Sequence, residues 1–181
     1  MAGINNGLII TRDSDYRYPD EIISKDAIFE FYRFYVCKAT KYSANSVKKP
    51  FELANHEKEL LLSTLLSHSN ISEDNFVVLE NALLNLPQNA QAVSNIIHLQ
   101  LDDTSFCVNS EKGFFLAPSG HKLDWLLNHI RDSFAHARIA KQNGFIILED
   151  KKPGGTQLTA RLVLLESTLL RWVNIIEDFM K

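Results

Sequence analysis

Arg131, Asp132 and His136 fall close together in the run LDWLLNHIRDSFAHAR, and they bring the groups that phosphate chemistry uses. The arginine fork is planar, permanently charged and suited to gripping a phosphate. An imidazole gives or takes a proton near neutral pH. Asp132 and His136 are four apart, so on a helix their side chains can meet, and the carboxylate would hold the ring in one tautomer. Arg131 and His136 are five apart, about 140° around a helical axis, so one helix does not aim both at one point. Two copies related by a two-fold axis would pool two arginines and two histidines in one cleft.

The element that carries these groups reads as a helix over about 120–137. Leu123, Leu126, Leu127, Ile130, Phe134 and Ala137 share one face, enough for a buried seam. Trp125, His129, Asp132 and His136 form a second face. A surface helix needs one apolar stripe, so the second seam is expected either to pack against another subunit, with Trp125 and His129 as candidate dimer-interface residues, or to line a groove. Further helices are expected over 20–44, 51–68, from Ser72 to near Pro87, over 89–101 and over 158–179. In the last of these Leu162, Leu165, Leu169 and Trp172 form the stripe. FIIL lies between the turn signals QNG and KPGG and reads as part of a small hairpin, and GFFLA as a short strand. Residues 1–19 read as an extended arm. The expected fold is mainly α, a bundle of about five to six helices with a small β-hairpin before the last, in a single domain over 1–181.

The composition is that of an ordinary globular chain, 45% hydrophobic and 23% charged, which argues against a disordered or fibrous protein. The net charge of −3 does not advertise nucleic-acid binding over the whole surface. It is unevenly spread, however. Residues 46–111 hold three Lys against nine Asp or Glu, whereas residues 121–161 hold seven Lys or Arg against four acids. An anionic ligand should prefer the second region. No apolar run is long enough for a bilayer, and the first residues lack a cationic, apolar leader pattern, so no membrane partner is expected and the location is read as cytoplasmic. Cys37 and Cys107 read as reduced, packed thiols. No two histidines are four apart and no Cys/His cluster has ligand spacing, so neither a metal nor another cofactor is expected. The stretch KPGGTQLT lacks the form of a P-loop.

Arg131-Asp132-Ser133-Phe134-Ala135-His136 fits R-x4-H with a polar residue directly after the arginine, and it resembles the signature of the HEPN superfamily (higher eukaryotes and prokaryotes nucleotide-binding). GFIILED, a Gly-rich turn and LTARLVLLESTLLRWV are similar to the segment after the motif in a plasmid- and bacterium-borne branch. The close resemblance covers roughly 120–175. Ala137 departs from it, because that branch often has Gly after the histidine.

The resemblance implies a helical homodimer joined through the motif helices. It also implies metal-independent endoribonuclease activity in toxin–antitoxin or antiphage defence, with RNA as substrate and a cognate antitoxin protein as a further partner. Arg131 and His136 would be the catalytic pair, with Asp132 beside them. Arg138, Lys141 and Lys122 are the nearby cations expected to hold RNA. In chemical terms, the RNA 2′-OH would attack the adjacent phosphate with His136 as general acid or base, and Arg131 would steady the developing charge. The products would be a 2′,3′-cyclic phosphate and a 5′-hydroxyl. Two alternatives stand beside this. One is a non-catalytic HEPN-like module binding a nucleotide, RNA end or partner protein. The other is a plain helical interaction protein whose motif is coincidental.

Overall fold

Ser24 starts the first helix by accepting the Ala27 amide on its hydroxyl at 3.1 Å. The structure, a computed structural model, describes residues 23–39, 50–72, 75–80, 108–151 and 158–181. Helix α1 (Lys25–Phe31) runs directly into a π-helical segment, Tyr32–Lys38. The wider turn places Phe34 and Tyr35 side by side in the core and leaves Tyr32 exposed. A short 3₁₀ turn (Pro50–Glu52) leads into α2 (Asn55–Ser67), where Glu57 reaches back to the Ala54 amide at 2.8 Å.

Strand β1 (Phe76–Glu80) comes next, then β2 (Lys112–Ala117), helix α3 (Lys122–Ala135), β3 (Ile139–Gln142), β4 (Phe145–Lys151), β5 (Leu158–Leu165) and α4 (Glu166–Phe179). The five strands form one sheet in the order β1-β2-β5-β4-β3, with β1 and β2 parallel and every other pair antiparallel. Asn143 and Gly144, both at positive φ, make the tight turn between β3 and β4. Gly113 pairs with Phe76, and a Cβ there would sit 3.0 Å from the phenyl ring, so the two strands meet closely because the side chain is missing.

The sheet has two buried faces. Phe115, Ala117, Ile146, Leu148, Ala160, Leu162 and Leu164 join one core with residues of all four α-helices. Val108, Ala140, Ile147 and Val163 form a smaller cluster. The buried Arg161 pairs with Glu149 directly across the β4–β5 ladder, Nε to Oε1 at 2.7 Å.

These strands overturn the mainly-α, all-helical expectation: the described fold is mixed, four α-helices on a five-stranded sheet. The hairpin at QNG is present, but it is the edge of the sheet and not a small insertion. The third expected helix is replaced over Phe76–Glu80 by β1, where FVVLE has the branched, apolar make-up of a strand. The long final helix begins only at Glu166. Before it, LTARLVLL is a central strand buried on both faces, and such a run has no period that distinguishes it from a buried helix. The expected arm over 1–19 and the helix over 89–101 lie outside the described residues, as does Cys107. No helix among the described residues is long and apolar enough to cross a membrane.

Candidate functional site

Helix α3 is where the sequence concentrates its chemistry, and its apolar face fixes how it lies. Leu123, Leu126, Leu127, Ile130 and Phe134 are buried as expected. Phe134 stacks on Tyr35, ring centroids 6.1 Å apart, and packs beside Phe31 at 5.5 Å. Lys58, itself buried, ties α2 to the start of α3 through Asp124 at 2.7 Å. The helix is therefore held along most of its length.

The second face does not stay intact as an outward seam. His129 is 3% exposed and sits between Phe115 and Trp125. Its Nδ1 bonds Asp150 Oδ2 at 2.8 Å and its Nε2 bonds the Leu116 carbonyl at 2.9 Å. Both partners accept, so the two bonds form together only when both ring nitrogens carry hydrogens. Neither nitrogen is left for a substrate, and the ring offers no surface to a second copy. Trp125 is half-buried and donates its indole N–H to the Ser119 carbonyl.

Asp150 is the residue that the sequence pattern did not reveal. It is 7% exposed and collects four donors. His129 and the Thr159 hydroxyl (3.1 Å) reach Oδ2; the Lys151 amide (2.8 Å) and Arg138 Nη1 (3.4 Å) reach Oδ1. Thr159 reaches it from a β-bulge, where the register passes from Asp150↔Ala160 to Lys151↔Leu158. A signal was available in FIILED: an acid that ends an apolar strand and is itself buried must meet donors.

Beyond His129 the helix reaches its exposed end. His136 is the C-cap residue and is exposed; among the described residues its ring makes no hydrogen bond. Ala137 comes next at φ 52°, and its amide bonds the Phe134 carbonyl at 3.2 Å while the Arg138 amide bonds Ser133 at 2.8 Å. This is a Schellman cap with alanine in the left-handed position that glycine usually fills. The alanine thus leaves the helix end in place and strains it.

Arg131 donates to Asp132, its immediate neighbour. The expected Asp132–His136 contact is replaced by this pair. The structure therefore places Arg131, Asp132 and His136 on one helical end without bringing the arginine and the imidazole together.

The three cations expected to hold RNA each face an acid. Arg138 reaches Asp150, Lys141 bonds Glu166 at 2.8 Å, and Lys122 bonds Glu80 at 2.8 Å. Lys122 is also at the far end of α3, roughly 20 Å from His136 along the axis. That far end borders a cleft of about 280 Å³ lined by Glu59, Glu80 and residues 117–122. There His121 caps the helix through Nδ1 and faces Glu59 at 3.1 Å through Nε2. Among the described residues no three His, Cys, Asp or Glu side chains gather as a group able to hold a metal. No family model, curated protein or solved structure matches the chain.

Proposed function

We propose that the chain is a metal-independent endoribonuclease of HEPN type, a cytoplasmic toxin or antiphage effector that acts as a homodimer and is held in check by a cognate antitoxin protein. The observation that carries this reading is the exposed end of α3. There the His136 imidazole is free of protein hydrogen bonds among the described residues and lies five residues beyond Arg131. An imidazole so placed can reach a ribose hydroxyl or a leaving oxygen, which a ring with both nitrogens engaged cannot.

In the proposed reaction the RNA 2′-OH loses its proton, its oxygen bonds to the adjacent phosphorus, and the P–O5′ bond breaks. The leaving 5′-oxygen gains a proton. His136 takes or gives one of these protons, and Arg131 faces the phosphate oxygens as their charge grows. Asp132 is reassigned from orienting His136 to orienting Arg131, its partner in the structure. Because the two groups are about 140° apart on one helix, the site needs the same helical end from a second copy.

The test is cleavage of RNA in EDTA by the wild type, His136→Ala and Arg131→Ala. Loss of cleavage in both variants, with cyclic-phosphate ends in the wild-type products, is the expected result. Equal cleavage by all three removes these residues from the reaction.

One observation favours the second reading, a non-catalytic module that binds RNA or a nucleotide. Arg138, Lys141 and Lys122 each already face a carboxylate, which lowers the local pull on a phosphate backbone. Binding of several RNAs without cleavage, and no toxicity on overexpression, would decide for it.

A further inference from the structure

We propose that Asp150 is a positioning residue for His136, acting as a clamp across the end of α3. This rests on the ribonuclease reading for its functional meaning, though not for its geometry. The residues that flank His136 are held by the same carboxylate. His129, seven residues earlier and on nearly the same line of the helix, binds Oδ2. Arg138, two residues later and past the left-handed turn, faces Oδ1. The corner His136–Ala137 is thus strung between two side chains that end on one buried group.

Further contacts fix the clamp itself. The Thr159 hydroxyl from the bulge and the Lys151 amide bind the two oxygens of Asp150. The Glu149 amide binds the Arg138 carbonyl at 3.0 Å, so the chain leaving the helix is also stitched to β4. The corner needs this support because Ala137 occupies a conformation that its Cβ disfavours. An unsupported corner would relax and carry His136 with it. A general acid or base loses rate steeply when displaced by about 1 Å.

The test is amide hydrogen exchange on Asp150→Asn beside the wild type, read at His136, Ala137 and Arg138 and compared with amides in the middle of α4. The clamp predicts that protection at the three corner amides falls by about tenfold more than protection in α4, the size of one lost charge-assisted hydrogen bond. Arg138→Gln, at a partly exposed position, removes one anchor alone and should loosen the same amides even where Asp150→Asn does not fold. Where the wild type cleaves RNA, Asp150→Asn should lower kcat with KM nearly unchanged. Corner amides that lose protection only in step with α4 overturn the clamp and leave Asp150 as a general core residue. A wild type that leaves RNA intact removes the ribonuclease reading instead, and the exchange comparison still decides the clamp.

Discussion

Two histidines on one helix have opposite situations. His129, in the body of α3, has the partners of a catalytic dyad, a carboxylate on one nitrogen at 2.8 Å, yet its other nitrogen is spent on a backbone carbonyl and the ring is buried. His136, at the end of the same helix, has no such carboxylate among the described residues and is exposed. An Asp–His pair is a catalytic device only when the far nitrogen is open to a substrate. Here the pair braces α3 against the sheet, and of the two rings only His136 keeps its nitrogens open among the described residues, which is why the proposed reaction rests on it.

The contrast is broken most severely by removing the brace. His129→Ala takes one of four donors from the buried Asp150 carboxylate and empties the space between Phe115 and Trp125, and it should cost about 3–5 kcal/mol of stability, measured by urea unfolding. His136→Ala removes an exposed ring, so the same measurement should change by no more than about 0.5 kcal/mol.

Smaller effects sharpen the account of what surrounds the helix. Tyr35 donates to the Leu169 carbonyl at 3.1 Å, and Tyr35→Phe should cost about 1 kcal/mol near neutral pH. Burial pushes the Tyr35 phenol above its ordinary value, so the fold favours the neutral form. Stability from this group is intact below the unfolded value of about 10 and falls as pH rises past it. Tyr35→Phe should therefore flatten the alkaline limb of a stability–pH curve, whereas a curve unchanged above pH 10 in that variant would argue against it. Ala137→Gly relieves the left-handed cap and should raise stability by about 1 kcal/mol, seen as a higher unfolding midpoint. A lower midpoint would mean that the corner is not strained.

Helix α3 was legible because its pattern is long and periodic, and its bounds of 122–135 fall inside the expected 120–137. Strands β1 and β5 were not, for physical reasons: β5 is an apolar run buried on both faces and so carries no periodicity, while β1 is a partly buried edge strand of five residues, too short to show one, and only their neighbours in the sheet decide their state. The candidate site was legible in part. Arg131, Asp132 and His136 were named by type and spacing, and the structure places them at one helical end, but the partner of Asp132 was a matter of rotamer and not of spacing. FIILED marked Asp150 only as an acid in an apolar strand; its partner could not be read, because the pairing with His129 spans 21 residues and depends on how α3 lies on β4. The outward reading of His129 failed for the same reason: a helical wheel names faces, and the sheet decides which of them are covered.

The proposed reaction divides the histidines of α3 into a brace, His129, and a site, His136. Its most direct test measures RNA cleavage in EDTA and unfolding free energy together on the wild type, His129→Ala and His136→Ala. His136→Ala should lose about 10²–10⁴-fold in cleavage rate with its stability intact, and His129→Ala should lose stability first and foremost. Full cleavage by a stable His136→Ala protein would contradict that division.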